Sequence, residues 1–204
     1  MFTGIVKGLF EVSHVQKLPG MVKYSVSLPR SLINGLLIGA SVSVDGVCQT
    51  VVKIDDEHVW FDAIQETLDR TTLQELKVGA KVNIERSARI SDEIGGHLIS
   101  GHVFGKAKIA RIQKWENNQK VTFQCDSSWT KYFFSKGYIA IDGASLTLVD
   151  VDPMGSFSVD LIPETLRITT LGIKKEGDWV NIELDSQTQA IVDTVERVMA
   201  RMKH

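Results

Sequence analysis

Two stretches decide the fold: GASVSVDGVCQTVVKI at residues 39–54 and KGYIAIDGASLTLVDV at residues 136–151. In each, apolar residues alternate up to an Asp-Gly pair and resume after it, which is the pattern of two strands joined by a tight hairpin turn. Asp45-Gly46 and Asp142-Gly143 lie 97 residues apart, as do Thr50 and Thr147. Working outward, FDAIQETLDRTTL at 61–73 recurs as VDLIPETLRITTL at 159–171, and KVGAKVNIE at 77–85 as KEGDWVNIE at 175–183. Glu66 and Glu164 are 98 apart, so the second copy carries one extra residue between these blocks. Even the start recurs: Gly4, Val6 and Gly8 correspond to Gly101, Val103 and Gly105. Ordered matches over this length are a duplication rather than a chance likeness of β-rich segments.

Each copy is a set of short strands. Val59-Trp60-Phe61 and Val82–Glu85 are strand-like runs, and Gly79 marks a turn. Many short strands with little helix predict an all-β fold closed into a small barrel, because closure removes unpaired sheet edges. Segments 65–73 and 163–171 have room for a short helical turn, although Thr-Thr is a poor helix interior. Short helices over a barrel end are expected around 30–35 and 127–135, with Asp126-Ser127-Ser128 as a cap. The tail differs. In SQTQAIVDTVERVMARMKH (186–204), Ile191, Val195, Val198 and Met202 are spaced by four, three and four, giving an amphipathic helix capped by Asp185 or Ser186. Its narrow stripe either packs on the chain's own barrel or joins chains; two apolar positions in seven favour self-association.

The chain has 204 residues and a mass of 22.7 kDa, enough for one large domain or two small ones, and the repeat selects two. The division expected is 1–97, 98–185 and a helical tail, 186–204. Hydrophobic residues make up 43% and charged residues 24%, as in a globular protein. No apolar run approaches the ~18 residues of a membrane helix. The opening MFTGIVKGLFEV lacks a basic segment followed by a sustained apolar core, so no secretory signal is expected. Lys+Arg of 23 against Asp+Glu of 25 leaves a net charge of −2, without the basic field that nucleic-acid binding rests on. Two cysteines are too few for a disulfide framework. A soluble, cytoplasmic protein with no nucleic-acid or membrane partner is expected.

Motifs for common chemistries are absent: there is no G-x-G-x-x-G, H-E-x-x-H or G-x-S-x-G. His97 and His102 lie five apart with no third ligand suggested, so no metal site is expected. His14, His58 and His204 look like loop or terminal residues. The copies diverge at informative places: Cys48 corresponds to Ser145, and Ile5 to His102. Cys48 and Thr50 alternate along one strand and share a face, as do Ser145 and Thr147. No base adjoins Cys48 in sequence, so it reads more readily as a small buried residue than as a nucleophile. Two related binding surfaces with different duties are as far as the residues alone lead.

Met1–Val6, the paired Asp-Gly-x-[Cys/Ser]-x-Thr blocks, GGHLISGHV at 95–103 and Ile162–Thr165 resemble the riboflavin synthase family of alpha-chain type, and the likeness runs from residue 1 to about 200. The resemblance implies two tandem six-stranded antiparallel β-barrels, a C-terminal helix and a homotrimer built around those helices. It implies a dismutation of two 6,7-dimethyl-8-ribityllumazine molecules, giving riboflavin and 5-amino-6-ribitylaminouracil, with no cofactor because the exchange is internally balanced. The working site would lie between the N-terminal barrel of one chain and the C-terminal barrel of its neighbour.

Carried onto this chain, the family's first set of ligand contacts falls on Gly4, Ile5, Val6, Cys48, Gln49, Thr50, Asp62, Ala63, Ile64, Gln65, Glu66 and Thr67. The second set falls on Gly101, His102, Val103, Ser145, Leu146, Thr147, Asp160, Leu161, Ile162, Pro163, Glu164 and Thr165. Glu66, Thr67 and Thr165 suit the ribityl hydroxyls, and Lys136 takes the place of a pocket lysine. Ser41, His102, Ser145, Thr147 and Asp185 match positions linked to proton transfer or positioning. His102 with Thr147 is expected to manage the proton, and Cys48 with Ser41 to assist addition at the acceptor. One departure is Gln49, where the family usually has Leu; it points away from the Cys48 face, and its polar side chain must find a partner or reach solvent. A non-catalytic lumazine- or flavin-binding antenna protein is the alternative. It is disfavoured because Ser100–Val103, Lys136 and Ser145–Thr147 are all retained.

Overall fold

The structure is a computed structural model and describes residues 1–202. Strands β1 (Leu9–Leu18), β2 (Met21–Ser27), β3 (Ser41–Val44), β4 (Val47–Asp55), β5 (His58–Ile64) and β6 (Lys81–Arg86) close a first barrel in the order β1-β2-β5-β4-β3-β6. Strands β7 (Gly105–Lys114), β8 (Gln119–Gln124), β9 (Tyr138–Ile141), β10 (Ala144–Asp152), β11 (Ser156–Leu161) and β12 (Trp179–Leu184) close a second with the same topology. Every pairing is antiparallel, and alternation along each strand fills the barrels. Val42, Val44, Val51, Phe61 and Ile84 are sealed inside the first barrel, and Phe123, Ile141, Leu148, Val159 and Ile182 inside the second.

The short helices fall where the sequence places them. Helix α1 (Arg30–Ile33) follows β2, while α2 (Gln65–Arg70) and α3 (Pro163–Ile168) follow β5 and β11. A 3-10 turn covers Ser127–Tyr132, and the Asp126 side chain accepts from the Ser128 N–H at its start. Two histidines break the expectation. His14 lies on β1 and His58 opens β5, and the pairing of β1 with β2 shifts register between Val12 and His14. Ser13 Oγ lies 3.0 Å from His58 Nδ1, Ser25 Oγ lies 3.0 Å from His14 Nδ1, and the His14 ring stacks on Trp60. Strand hydroxyls thus satisfy ring nitrogens outside the barrel. His204 lies outside the described residues.

The two barrels meet about a pseudo-twofold axis at the hairpins that betrayed the repeat. Asp45 and Gly46 have φ of 46° and 80°, and Asp142 and Gly143 have 45° and 80°, the double left-handed turn that Asp-Gly supplies. A Cβ on Gly46 would sit 2.6 Å from the Gly143 nitrogen, so both positions also need glycine for close approach. Asn83 Nδ2 donates to the Asp142 carbonyl and Asn181 Nδ2 to the Asp45 carbonyl, each at 2.8 Å. One residue breaks the symmetry: Lys174 Nζ lies 3.2 Å from Asp142 Oδ2, whereas the first copy has buried Leu76 at that place. Burial, reinforced by the Asp142 charge, pushes the Asp45 carboxyl up to about 8.

Helix α4 (Ser186–Met202) closes the described chain. Asp185 caps it, its Oδ2 accepting from the Thr188 N–H at 2.9 Å and the Thr188 hydroxyl at 2.6 Å. The polar face is pinned to the second barrel's 3-10 turn: Tyr132 donates to Asp193 Oδ1 at 2.6 Å, and Lys131 pairs with Glu196. Ile191, Val195, Val198 and Met202 point away and are at least half exposed.

Candidate functional site

The Val-Asn-Ile-Glu repeat ends in a carboxylate that shapes a glycine segment, and it does so twice. Glu85 accepts from the Thr3 N–H at 2.7 Å, the Thr3 hydroxyl at 2.8 Å and the Gly4 N–H at 3.0 Å. Glu183 accepts from the Ser100 N–H and hydroxyl, both at 2.7 Å, and from the Gly101 N–H at 2.9 Å. Burial raises both carboxyls above the usual range against the pull of these bonds. The repeat of Glu85 and Glu183 was visible in the sequence but carried no duty there; their recurrence at the end of each copy was the signal.

Held this way, each glycine segment reaches across to the other barrel. The Cys48 N–H donates to the Gly101 carbonyl at 2.8 Å, and the Ser145 N–H donates to the Gly4 carbonyl at 2.9 Å. Phe2 and Ile99 pair antiparallel between them. Gly4 and Gly101 have φ of 76° and 81°, and a Cβ on either would lie within 2.6 Å of the Ser145 or Cys48 Cβ. The grouping expected from the carry-over is therefore corrected. Gly101, His102 and Val103 line a recess of about 350 Å³ with Cys48, Glu66 and Thr67 of the first barrel. Gly4 belongs with Ser145 of the second. The cause is the antiparallel crossing of the two segments at the pseudo-twofold axis. Ile5 and Thr3 line a neighbouring recess of about 530 Å³ that reaches the linker at Gly95.

Ser41 and Thr50 face each other across β3 and β4, so they share a face with Cys48. In the second barrel Tyr138 opposes Thr147 and Ala140 opposes Ser145. His97 joins this second group: its Nδ1 lies 2.7 Å from Ser145 Oγ, and its ring stacks on Tyr138 with centroids 5.0 Å apart. Burial lowers the His97 pKa, and the nearby Asp185 charge opposes this only in part. Neither His97 nor Tyr138 stood out as a site residue in the sequence; Tyr138 aligns with Ser41 in the repeat, which is where the signal lay. No hydrogen bond joins His102 to Thr147 among the described residues, since the two lie on different halves.

Several expected contact residues turn their side chains inward. Ala63 and Leu161 are sealed in the barrel cores, and Gln49 is 5% exposed, so only their backbones can meet a ligand. Leu146 packs against the second core. Gln49 resolves its polarity inside: Tyr24 donates to its Oε1 at 3.2 Å, and its amide donates to the Cys48 carbonyl at 3.0 Å. Ile64 and Ile162 are exposed where each barrel passes into its helical turn. Asp62 pairs with Lys23 at 3.2 Å. Gln65 and Pro163 open those turns, with Thr67 and Thr165 within them. Glu66 pairs with Arg70, and Glu164 with Arg167. Thr50, Thr147 and Asp160 are exposed on the barrel surface. Lys136 has φ 69°, in the left-handed region where the first copy has Gly39 at 87°.

Comparison with known proteins bears on this geometry. The lumazine binding domain family matches residues 3–87 and 100–185, once per barrel. The riboflavin synthase of Escherichia coli (strain K12) is 52% identical over 201 residues, covering 98% of this chain and 94% of that protein. The riboflavin synthase of Chlamydia pneumoniae is 45% identical over 200 residues, covering 98% of both. A crystal structure of LumP complexed with riboflavin has a TM-score of 0.84 at 26% identity, covering 91% of this chain and all of that one. LumP complexed with 6,7-dimethyl-8-(1'-D-ribityl) lumazine matches at 0.82. With both domain copies matched and full-length relatives of this identity, the chain belongs to the riboflavin synthase family of duplicated lumazine-binding barrels.

Proposed function

We propose that the chain is a riboflavin synthase, an enzyme that dismutates two molecules of 6,7-dimethyl-8-ribityllumazine into riboflavin and 5-amino-6-ribitylaminouracil. The observation that carries this is the recess that the first barrel builds with the glycine segment of the other copy, matched by the like backbone contact between Ser145 and Gly4 on the second barrel. The substrate is used twice, so a donor and an acceptor can occupy related surfaces with different polar residues. The 7-methyl of one lumazine is acidic because its carbanion delocalises into the electron-poor ring, and the partner accepts the four-carbon unit. Holding two flat rings in register supplies roughly 7–11 kcal/mol of the barrier. Acid–base help adds about 10²–10⁴-fold.

Backbone groups at Gln49, Ala63 and Leu161 serve the ring edges, Gly4 and Gly101 let the chain pass close beside them, and Glu66, Thr67, Glu164 and Thr165 serve the ribityl chains. Lys136 is a pocket residue. Its left-handed backbone supports this, because a side chain costs about 1–2 kcal/mol there and glycine does not. His102 and Thr147 manage the proton, Ser41 and Cys48 assist addition, and Asp185 adds its charge beside His97 to its role as helix cap. His102 and Thr147 lie on opposite halves, so they meet only when the N-terminal barrel of one chain faces the C-terminal barrel of another. The outward stripe of α4 supports a homotrimer joined by residues 186–204, following barrels at 1–97 and 98–185. The free thiols of Cys48 and Cys125 suit a reducing cytoplasm. No helix among the described residues is long and apolar enough to cross a membrane.

The test is incubation of pure protein with the ribityllumazine alone. Riboflavin should accumulate. Tight binding without riboflavin would replace this reading with a ligand-holding role.

A further inference from the structure

The two halves of the site are not equally built, and the difference lies in the linker between the copies. Ser145 corresponds to Cys48, yet among the described residues Ser145 alone of the two has an imidazole at hydrogen-bond distance: His97 Nδ1 lies 2.7 Å from its Oγ. His97 is 8% exposed and held from one side by the Tyr138 ring, at 5.0 Å and 17°. On another side runs the linker itself, where a Cβ on Gly96 would fall 2.3 Å from the Thr3 carbonyl oxygen and 2.7 Å from the Ser145 Cβ. The ring therefore has little freedom to leave the hydroxyl. Ser145 also presents its backbone N–H to Gly4, so both its polar groups are committed in direction.

We propose that His97 is a positioning residue for the reaction: it fixes the orientation of the Ser145 hydroxyl in the second pocket, a device that the Cys48 pocket lacks. A serine hydroxyl ordinarily chooses among three staggered rotamers and rotates its proton freely. If Nδ1 accepts, the Ser145 proton points to His97 and the oxygen lone pairs face the pocket. If Nδ1–H donates, the Ser145 proton is left to face the pocket. Either tautomer narrows the arrangements open to the hydroxyl. Burial keeps the imidazole neutral, which preserves both possibilities without adding a charge beside the substrate. This deepens the synthase reading and rests on it: the second pocket becomes the half where a hydroxyl is aimed at the lumazine, and the first the half where a thiol packs unaided.

A double-mutant cycle tests the proposal. His97→Phe keeps the stack on Tyr138 and removes the hydrogen bond, and Ser145→Ala removes the hydroxyl. His97→Phe should lower kcat about tenfold, with KM changed less than about twofold. In the Ser145→Ala background it should cost nothing further, because its effect runs through that hydroxyl. His97→Asn, whose amide occupies the place of Nδ1, should recover most of kcat. Equal losses from His97→Phe in both backgrounds would overturn the proposal, as would a loss confined to KM. Should the Phe variant not fold, His97→Gln carries the same cycle, since its amide reaches past the Nδ1 position. Wild-type protein run alongside separates the two ideas: no riboflavin from wild type would sink the synthase reading itself, whatever His97 does.

Discussion

The Ser145 backbone N–H donates to the carbonyl of Gly4, 2.9 Å away and 141 residues earlier in the chain. Its mirror, Cys48 to Gly101, ties the glycine segment of each copy to the barrel of the other. The recess at Cys48 is therefore a joint product of both copies.

Lys136 adopts φ 69° where the first copy uses Gly39. Lys136→Gly should raise the unfolding free energy or leave it unchanged, since relief of about 1–2 kcal/mol of backbone strain is partly offset by the entropy of glycine. Turnover should nevertheless fall at least tenfold. Denaturant unfolding and steady-state kinetics on the same preparation check the opposed signs; a fall in stability with unchanged turnover would make Lys136 a structural residue.

Gln49 and Tyr24 satisfy each other inside the first barrel. Gln49→Leu strands the buried Tyr24 hydroxyl and should cost about 1–3 kcal/mol, with little change in turnover. Adding Tyr24→Phe should recover most of that loss, because two apolar groups then replace a matched polar pair. Urea midpoints of the single and double variants measure it.

Between the barrels, Asp45 titrates near 8, mainly through burial and secondly through Asp142. A carboxyl raised in the folded state holds a proton that the unfolded chain has already released. Its contribution therefore declines as pH rises from about 4 to about 8. Asp45→Asn should flatten that slope in the melting temperature. Lys174→Leu, which copies Leu76, leaves two facing carboxylates without their cation. It should destabilise by roughly 3–5 kcal/mol at pH 8 and by less at pH 5.

The tail offers its apolar stripe outward while its polar face is tied to Lys131 and Tyr132. Replacing Val195 and Val198 with Asp should yield monomers by sedimentation velocity, and riboflavin synthesis should fall with the oligomer. Trimers that survive the change would place the assembly elsewhere.

The repeat was legible from matched blocks 97–98 residues apart, and the hairpins, the capped tail helix and the turning of Gln49 away from the Cys48 face from local periodicity, capping residues or Asp-Gly turn chemistry. The crossing of Gly4 to Ser145 was not. It arises from how two barrels dock, and no periodicity encodes docking. His97 was passed over for a related reason: alone in sequence it is an ordinary histidine, and only the linker's path sets it on Ser145. The strand positions of His14 and His58 were missed because a histidine carries no strand signal of its own, and their serine partners, Ser25 and Ser13, are brought to them only by strand pairing. Resemblance to a family named the contact segments and sorted them by barrel, but the crossing exchanges the two glycine segments between those sets.

In the proposed reaction one substrate is brought to bear on itself, with no other reactant. The most direct measurement is the product balance when flavin-free, metal-free protein consumes 6,7-dimethyl-8-ribityllumazine. Two lumazines should disappear for each riboflavin formed, with one equivalent of 5-amino-6-ribitylaminouracil beside it. A one-to-one conversion, or a requirement for an added cofactor, would contradict the account.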